Sequence, residues 1–257
     1  MLSYVTILKD TKEVSDMAIY TFKRSELKFL LSKQQYENIL PVINEHMQRD
    51  IYGKDESYQI CNIYFDTADQ SIIRHSVSKP YFKEKLRLRT YGIPDGPSYP
   101  CFIELKRKTG STVTKRRAKL TLSQAQQFLE DGTFPDNCEY LTKQVLTEIE
   151  YFIESNPGIR ENVFISYLRD AYFDREDPAF RLTFDRCITT RRSDLVLEDG
   201  IYGEQLIPDD SYLMEVKVGG SVPLWLSDVL SENGIRRTSF SKAGKEFTKR
   251  NGELKCS

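Results

Sequence analysis

Charged residues that alternate with apolar ones are the part of this sequence most able to do chemistry. Residues 85–89 read Lys-Leu-Arg-Leu-Arg, and residues 102–108 read Phe-Ile-Glu-Leu-Lys-Arg-Lys. Because successive side chains of a β-strand point to opposite faces, each run predicts a strand with one charged face and one aliphatic face. The same alternation recurs at residues 26–29, 115–118 and 214–218. Several strands are therefore expected to share a basic face.

A basic face of this kind indicates a polyanionic ligand. A solvent-facing sheet normally mixes Thr, Ser, Gln, Glu and Lys, whereas Lys and Arg dominate here. Like charges that face each other across a sheet are destabilising, so a bound polyanion would offset the repulsion. Phosphates suit such a face, because Arg binds their oxygens as a fork and Lys acts as a movable point charge. The alternative interpretation is a basic face that is merely solvated.

The overall charge limits the class of ligand. The chain of 257 residues has 37 basic and 38 acidic residues, with a net charge of -1. A protein that binds nucleic acid over its whole surface is usually basic. We therefore expect no nucleic-acid partner and favour a compact anion held in a cavity.

Cysteine usage predicts a reducing compartment, and hydropathy predicts no membrane-spanning segment. The five cysteines are widely spaced and form no CxxC pair, which argues against a disulfide framework or a zinc site. No apolar run is long enough to span a membrane, and no signal-peptide pattern is found. The predicted location is the cytoplasm, with any membrane coupling left to a separate protein partner.

The periodic segments predict an α+β fold. Residues 1–18 have no clear period and are predicted to be a flexible leader or an edge segment, whereas residues 19–251 are predicted to form a single domain. Hairpin turns connect most strands, and helices lie between the others. We predict an eight-stranded antiparallel β-barrel with the helices packed outside, whose basic inner face forms a tunnel. Strands are expected near residues 20–31, 58–66, 81–91, 100–108, 112–120, 164–173, 181–191 and 212–218.

The order and spacing of six short motifs resemble the VTC domain, a polyphosphate-polymerase domain of the triphosphate tunnel metalloenzyme (CYTH-like) superfamily. That superfamily includes class IV adenylate cyclases and thiamine triphosphatases. No single motif is specific, but their order and spacing extend the resemblance from about residue 19 to residue 250. They are Arg24-x-Glu26-x-Lys28-Phe, Tyr64-Phe-Asp-Thr67, Lys85-x-Arg87-x-Arg89, Phe102-Ile-Glu104-x-Lys106, Glu215-Val-Lys217 and Phe240-Ser-Lys242.

The resemblance implies a tunnel that binds a triphosphate or polyphosphate together with Mn²⁺ or Mg²⁺. In the polymerase, the γ-phosphate of ATP is transferred onto a growing chain. Phosphate-binding roles carry over to Lys28, Arg87, Arg89, Lys106, Lys115, Arg169, Lys217 and Lys242. Arg117 and Arg181 join them because alternation places them on the same face.

The resemblance also implies catalytic and metal-binding roles. Transfer is expected to depend on Arg87, Arg89, Lys106, Arg169 and Glu215. Glu215 is the principal expected metal ligand, with Glu26 and Glu104 as further ones. The alternative for each glutamate is a salt bridge that keeps the lysines ordered. Asp185 is expected either to face the tunnel or to organise a turn. Lys242 begins a helix, where a cation opposes the helix dipole unless an anion lies beside it.

One departure separates this sequence from the hydrolases and cyclases of the superfamily. They begin with an acidic-x-acidic-x-Lys pattern, and Arg24 takes the first acidic position here. The loss of a carboxylate favours binding or transfer of phosphate over hydrolysis, so a polyphosphate polymerase using ATP or another triphosphate is the leading hypothesis. The alternatives are a triphosphatase acting on inorganic or organic triphosphate, and a non-enzymatic polyphosphate or nucleotide sensor that works with a membrane partner.

Overall fold

The computed structural model describes residues 25–50, 57–177 and 179–253. The predicted leader and Arg24 lie outside these ranges. The strands are β1 (Ser25–Ser32), β2 (Met47–Arg49), β3 (Tyr58–Asp66), β4 (Phe82–Tyr91), β5 (Pro100–Thr109), β6 (Thr112–Thr121), β7 (Arg160–Asp174), β8 (Arg181–Arg191), β9 (Glu204–Gln205) and β10 (Ser211–Val218). The helices are α1 (Lys33–His46), α2 (Ser71–Val77), α3 (Leu122–Asp131), α4 (Tyr140–Glu154), α5 (Leu224–Glu232) and α6 (Lys242–Glu253). Within the described ranges, none of these helices combines the length and hydropathy needed to cross a membrane.

The strands form one antiparallel sheet that is not closed. Its order is β1-β10-β8-β7-β3-β4-β5-β6, with β2 added to β7 and β9 added to β8. The α+β class is as predicted, but the prediction of a closed barrel is wrong. Across the described residues, the pairing runs from β1 to β6 and does not return, which leaves both as edge strands. Alternation reveals the two faces of a strand, but it carries no information on whether the edge strands meet.

Of the three apolar cores among the described residues, two cover the outer face of the sheet. Leu86 and Leu88 of β4 pack with Phe128 of α3 and Phe152 of α4 in the first core. The second core joins the outer faces of β1, β8 and β10 to helices α1 and α5. Because helices bury the aliphatic faces of the strands, the charged faces are left on the concave inner side.

The register of β4, β5 and β6 aligns the inner side chains in transverse rows. Lys85 lies opposite Lys106, which lies opposite Lys115. Two residues away on each strand, Arg87 lies opposite Glu104, which lies opposite Arg117. Directly opposed residues of neighbouring strands have Cβ atoms about 5 Å apart. The first row therefore holds three lysines side by side without a carboxylate, and the second row holds one carboxylate between two arginines.

Candidate functional site: a cationic cavity

The concave side of the sheet encloses a cavity of about 1150 Å³. Among the described residues, fourteen cationic side chains line it, together with the acidic side chains of Glu26, Asp50 and Glu215. The excess of positive charge makes the cavity a site for an anion that carries several charges. The cationic residues are Lys28, Lys83, Lys85, Arg87, Arg89, Lys106, Lys108, Lys115, Arg117, Arg169, Arg181, Lys217, Arg237 and Lys242.

All ten side chains predicted to bind phosphate reach this one cavity. Seven strands and the start of one helix contribute them, so they converge only in the folded chain. They are Lys28, Arg87, Arg89, Lys106, Lys115, Arg117, Arg169, Arg181, Lys217 and Lys242. Of the predicted metal ligands, Glu26 and Glu215 also line the cavity, whereas Glu104 is 1% exposed and lies against its lining cations.

Two buried carboxylates organise the part of the cavity formed by β7, β8 and β10. Arg169 donates to both oxygens of Asp185, from Nε at 2.6 Å and from Nη2 at 2.7 Å. Lys242 Nζ donates to Asp185 Oδ2 at 2.5 Å and lies 3.5 Å from Glu215 Oε1. Asp185 therefore faces the cavity cations, and its charge offsets the unfavourable position of Lys242 at the start of α6.

Glu215 is surrounded by cations. Lys28 Nζ donates to Glu215 Oε1 at 2.9 Å, and Arg169 Nη2 lies 3.5 Å from Oε2. Burial raises the pKa of Glu215, but Lys242, Lys28 and Arg169 outweigh burial and hold the pKa well below its usual value. The carboxylate is therefore ionised throughout the physiological range and able to act as an oxygen ligand.

Glu104 organises the other half of the cavity. Its carboxylate accepts hydrogen bonds from Arg87 Nε at 2.7 Å and from Lys115 Nζ at 3.1 Å, and it also pairs with Arg117. Burial raises the pKa of Glu104, but the neighbouring cations, led by Arg87, bring it below its usual value. Glu104 on β5 thus holds cations from both neighbouring strands, β4 and β6, which is the role of a counter-ion.

Two tyrosines and an asparagine fix the arginines of β4. Arg87 Nη1 donates to Tyr64 Oη at 3.0 Å. Arg89 donates from Nε to Asn62 Oδ1 at 2.8 Å and from Nη2 to Tyr167 Oη at 2.9 Å. These contacts use only some of the five N–H donors of each guanidinium. The arginines are therefore held in place by the protein while donors remain for a ligand.

Burial disfavours the charged forms of two lysines of the transverse row, Lys85 and Lys115. Burial lowers the pKa of Lys85 to about 8, and the nearby Lys83 and Lys106 add to the effect. Burial also lowers the pKa of Lys115 to about 8, even though Glu104 acts in the opposite direction. Crowded cations whose charged forms are disfavoured gain most from a bound polyanion.

The oxygen donors of Glu26 and Glu215 fit a divalent metal that arrives with its phosphate. Lys28 Nζ lies 3.1 Å from Glu26 Oε1 and 2.9 Å from Glu215 Oε1, so both carboxylates face one position. The described part of the chain holds no cluster of three or more His, Cys, Asp or Glu suited to a metal ion. Mg²⁺ is commonly held by one or two carboxylates plus substrate phosphates, which matches this pair.

Some lining residues were not predicted as site residues. Lys83, Lys85 and Lys108 continue the alternation of β4 and β5, so the signal for them was present in the sequence. Tyr64 belongs to one of the motifs of the resemblance. Arg237 comes from the segment between α5 and α6, where no periodicity marks it.

Comparison with known proteins supports the resemblance of the motifs. A family model of the VTC domain matches residues 23–247, which confirms the resemblance over most of the chain. Curated protein sequences give no significant match. A solved structure from Bacillus halodurans, described provisionally as an adenylate cyclase, has a TM-score of 0.51 and 16% identity, covering 85% of this chain and 95% of that chain. At this identity, the likeness shows a shared fold.

Two further solved structures are less similar. A Vibrio parahaemolyticus protein, also described provisionally as an adenylate cyclase, has a TM-score of 0.44 and 12% identity, covering 86% of this chain and 96% of that chain. A chain of the Schizosaccharomyces pombe Mediator head module has a TM-score of 0.45 and 8% identity, covering 81% of this chain and 90% of that chain.

Proposed function

Since this chain belongs to the VTC domain family, we propose that it is a phosphotransferase that binds ATP in the cationic cavity and transfers the γ-phosphate onto a polyphosphate chain. The observation that carries the proposal is the convergence of fourteen lysine and arginine side chains of the described residues on one cavity of about 1150 Å³. A single phosphate needs far fewer partners. A chain of phosphates carries many charged oxygens and suits a larger set of cations.

The arginines are suited to the reacting phosphates. In phosphoryl transfer, an oxygen of the terminal phosphate of the chain attacks the γ-phosphorus, and the bond to ADP breaks. The acceptor oxygen is already anionic, so no general base is required. Arg87, Arg89 and Arg169 are held by Glu104, Asn62, Tyr167 and Asp185. Donors fixed in advance stabilise charge on the transferring group without reorganising.

The lysines are suited to the remainder of the chain. Lys85, Lys106 and Lys115 lie side by side on adjacent strands, and their ammonium groups end flexible stems. Such groups can follow phosphates that change position as the polymer lengthens. The division between anchored arginines and flexible lysines matches the two tasks of transfer and chain retention.

We include a divalent metal, Mn²⁺ or Mg²⁺, in this proposal. Glu215 would hold it, with Glu26 beside it, because both carboxylates face the position of the Lys28 ammonium. When bound, the metal neutralises phosphate charge and aligns the transferring group.

The test is a product analysis with purified protein, ATP and Mn²⁺ or Mg²⁺, resolved by gel electrophoresis and phosphorus NMR. We expect a ladder of polyphosphate that is lost in Glu215→Gln and retained in Glu37→Gln. Glu37 makes an exposed ion pair with Lys33 on α1 and is a matched control for the loss of one carboxylate. Free phosphate and ADP without polymer would identify a triphosphatase instead. Triphosphate binding without turnover, lost in Arg87→Ala, would identify a sensor.

A further inference from the structure

We propose that Tyr58 and Tyr91 form a stacking site for the base of a nucleoside triphosphate at one end of the cavity. This inference rests on the proposed function, since it names the part of the cavity that takes the nucleoside of the phosphate donor. Both tyrosines line the cavity. Their ring centroids are 6.0 Å apart and their planes are inclined by 50°.

Tyr91 is the most accessible aromatic side chain of the cavity lining. It is 38% exposed, whereas Tyr167 and Tyr172 are each 2% exposed. Its ring is nearly perpendicular to that of Phe102, with centroids 5.7 Å apart and planes at 86°. Arg117 Nη2 also donates to its hydroxyl at 3.3 Å. Phe102 and Arg117 thus hold the ring in place while more than a third of the side chain is exposed, which is the arrangement that an aromatic stacking platform needs.

Cations already lie over the other aromatic rings that face the arginines. Arg87 lies 5.8 Å from the ring centroid of Tyr64, and Arg181 lies 4.9 Å from that of Phe173. Tyr167 has Arg169 at 5.2 Å and Lys242 at 4.4 Å. These rings serve to orient cations. Tyr58 and Tyr91 are therefore the better platform for a planar base.

The distance along β4 from Tyr91 to Arg87 suits the length of a nucleotide. Arg89 and Arg87 follow Tyr91 on the same inner face of β4, toward the lysine row. Four residues of an extended strand span about 13 Å. An extended nucleoside triphosphate is of comparable length from base to terminal phosphate. A base stacked at Tyr91 would therefore deliver its terminal phosphate to the arginines held by Glu104 and Tyr167.

The experiment compares two probes, ATP and inorganic tripolyphosphate, whose binding to the full chain is measured by calorimetry with the same Mg²⁺ concentration. Base–aromatic stacking contributes about 1–3 kcal/mol, which corresponds to about a 5- to 150-fold change in affinity. We expect Tyr91→Ala to weaken ATP binding within this range and to change tripolyphosphate binding less than about twofold. Tyr91→Phe should retain ATP binding. Tyr140→Ala, at an 80% exposed residue of α4, is the control.

The two probes separate failure of this inference from failure of the proposed function. Equal effects of Tyr91→Ala on both probes, or no effect on ATP, would overturn the base site while leaving phosphate binding intact. If neither probe binds to the wild-type protein, both proposals fail. Saturation transfer from tyrosine ring protons to the base protons of ATP, measured on the wild-type protein, gives a second readout that does not depend on a variant. We expect such transfer, and its absence with bound ATP would also overturn the site.

Discussion

Arg169 and Asp185 lie directly opposite each other on β7 and β8 because the pairing of these strands shifts by one residue. Before the shift, Ser166 pairs with Thr189, and continuing that register would place Arg186 opposite Arg169. After the shift, Asp185 takes that place, and Arg186 Nη2 instead donates to Ser57 Oγ at 3.1 Å. A β-bulge thus exchanges a repulsive pair for a buried ion pair at the cavity wall.

The Asp185 ion pair predicts a large loss of stability when its acid is neutralised. Asp185 is 0% exposed, and Arg169 stays charged at all accessible pH values. Asp185→Asn would leave Arg169 and Lys242 short of a counter-charge and should lower the free energy of unfolding by about 3–5 kcal/mol. Urea denaturation measures the change. Glu37→Gln, which breaks an exposed pair, should change it by under about 1 kcal/mol, and an equal loss in both variants would contradict the prediction.

The left-handed backbone at the bulge predicts an unusual tolerance for glycine. Cys187 has φ 51, a conformation that costs most residues free energy and costs glycine little. Cys187→Gly should therefore keep or slightly raise the free energy of unfolding, whereas a β-branched Cys187→Val should lower it by about 1–3 kcal/mol. Cys138→Val serves as the comparison, since Cys138 is not among the described residues with positive φ. A greater loss from glycine than from valine at position 187 would contradict the bulge.

The surroundings of Glu104 and Glu215 predict that substituting these two residues changes the metal dependence of turnover differently. Glu104 is enclosed by Arg87, Lys115 and Arg117, whereas Glu215 shares Lys28 with a second carboxylate. The turnover that Glu215→Gln loses at the Mn²⁺ concentration used for wild type should return in part at higher Mn²⁺, with the half-maximal concentration raised at least about tenfold. Glu104→Gln should leave that concentration unchanged while lowering the melting temperature. Equal shifts in metal requirement for both variants would indicate that Glu104 also binds the metal.

The lowered pKa values of Lys85 and Lys115 predict proton uptake on ligand binding. Lys85 and Lys115 lose their protons as the pH rises through about 8, and a bound polyanion favours the charged forms. Tripolyphosphate should therefore bind most tightly below pH 8 and progressively less tightly above it. Calorimetry at pH 8 in Tris and in HEPES would measure the uptake. Lys85→Arg, which stays charged, should flatten the profile, and an unchanged profile would contradict the role of Lys85.

The lowered pKa values of Lys85 and Lys115 also predict how the free energy of unfolding of the ligand-free protein changes with pH. Unfolded lysines titrate near pH 10.4, so between about pH 8 and that value the unfolded chain binds more protons at these positions than the folded chain does. The contribution of Lys85 and Lys115 to stability should rise with pH over this window. Wild type and Lys85→Gln can be compared by urea denaturation at pH 7.5 and 9.5. The variant should show the smaller gain on going to the higher pH.

Most of the cavity lining could be predicted from local pattern. Alternation with period two is a property of the extended backbone itself, and it assigns a side chain to a face without reference to the rest of the fold. The ten predicted cations therefore reach one cavity, as expected from strands that share an inner face. The pairing of those cations with Glu104, Asp185 and Glu215 required the structure. Pairing depends on register, and the bulge at Cys187 shifts the register of β8 by one residue. Thr190 faces inward before the bulge and Asp185 faces inward after it, so unbroken alternation does not predict both.

The amino-acid sequence by itself determined the family, the antiparallel α+β class and the charged faces of the strands. Only the tertiary structure decided that the described sheet stays open between β1 and β6, with Lys106 and Glu26 as a side-chain contact of 3.9 Å across the gap. It also decided that the rings of Tyr58 and Tyr91, from two different strands, lie 6.0 Å apart in the cavity lining. The physical reason is the sequence separation of the interactions. Adjacent residues determine which face of a strand a side chain occupies, whereas contacts between residues far apart in the chain determine which strands lie at the edges and which side chains meet in the cavity.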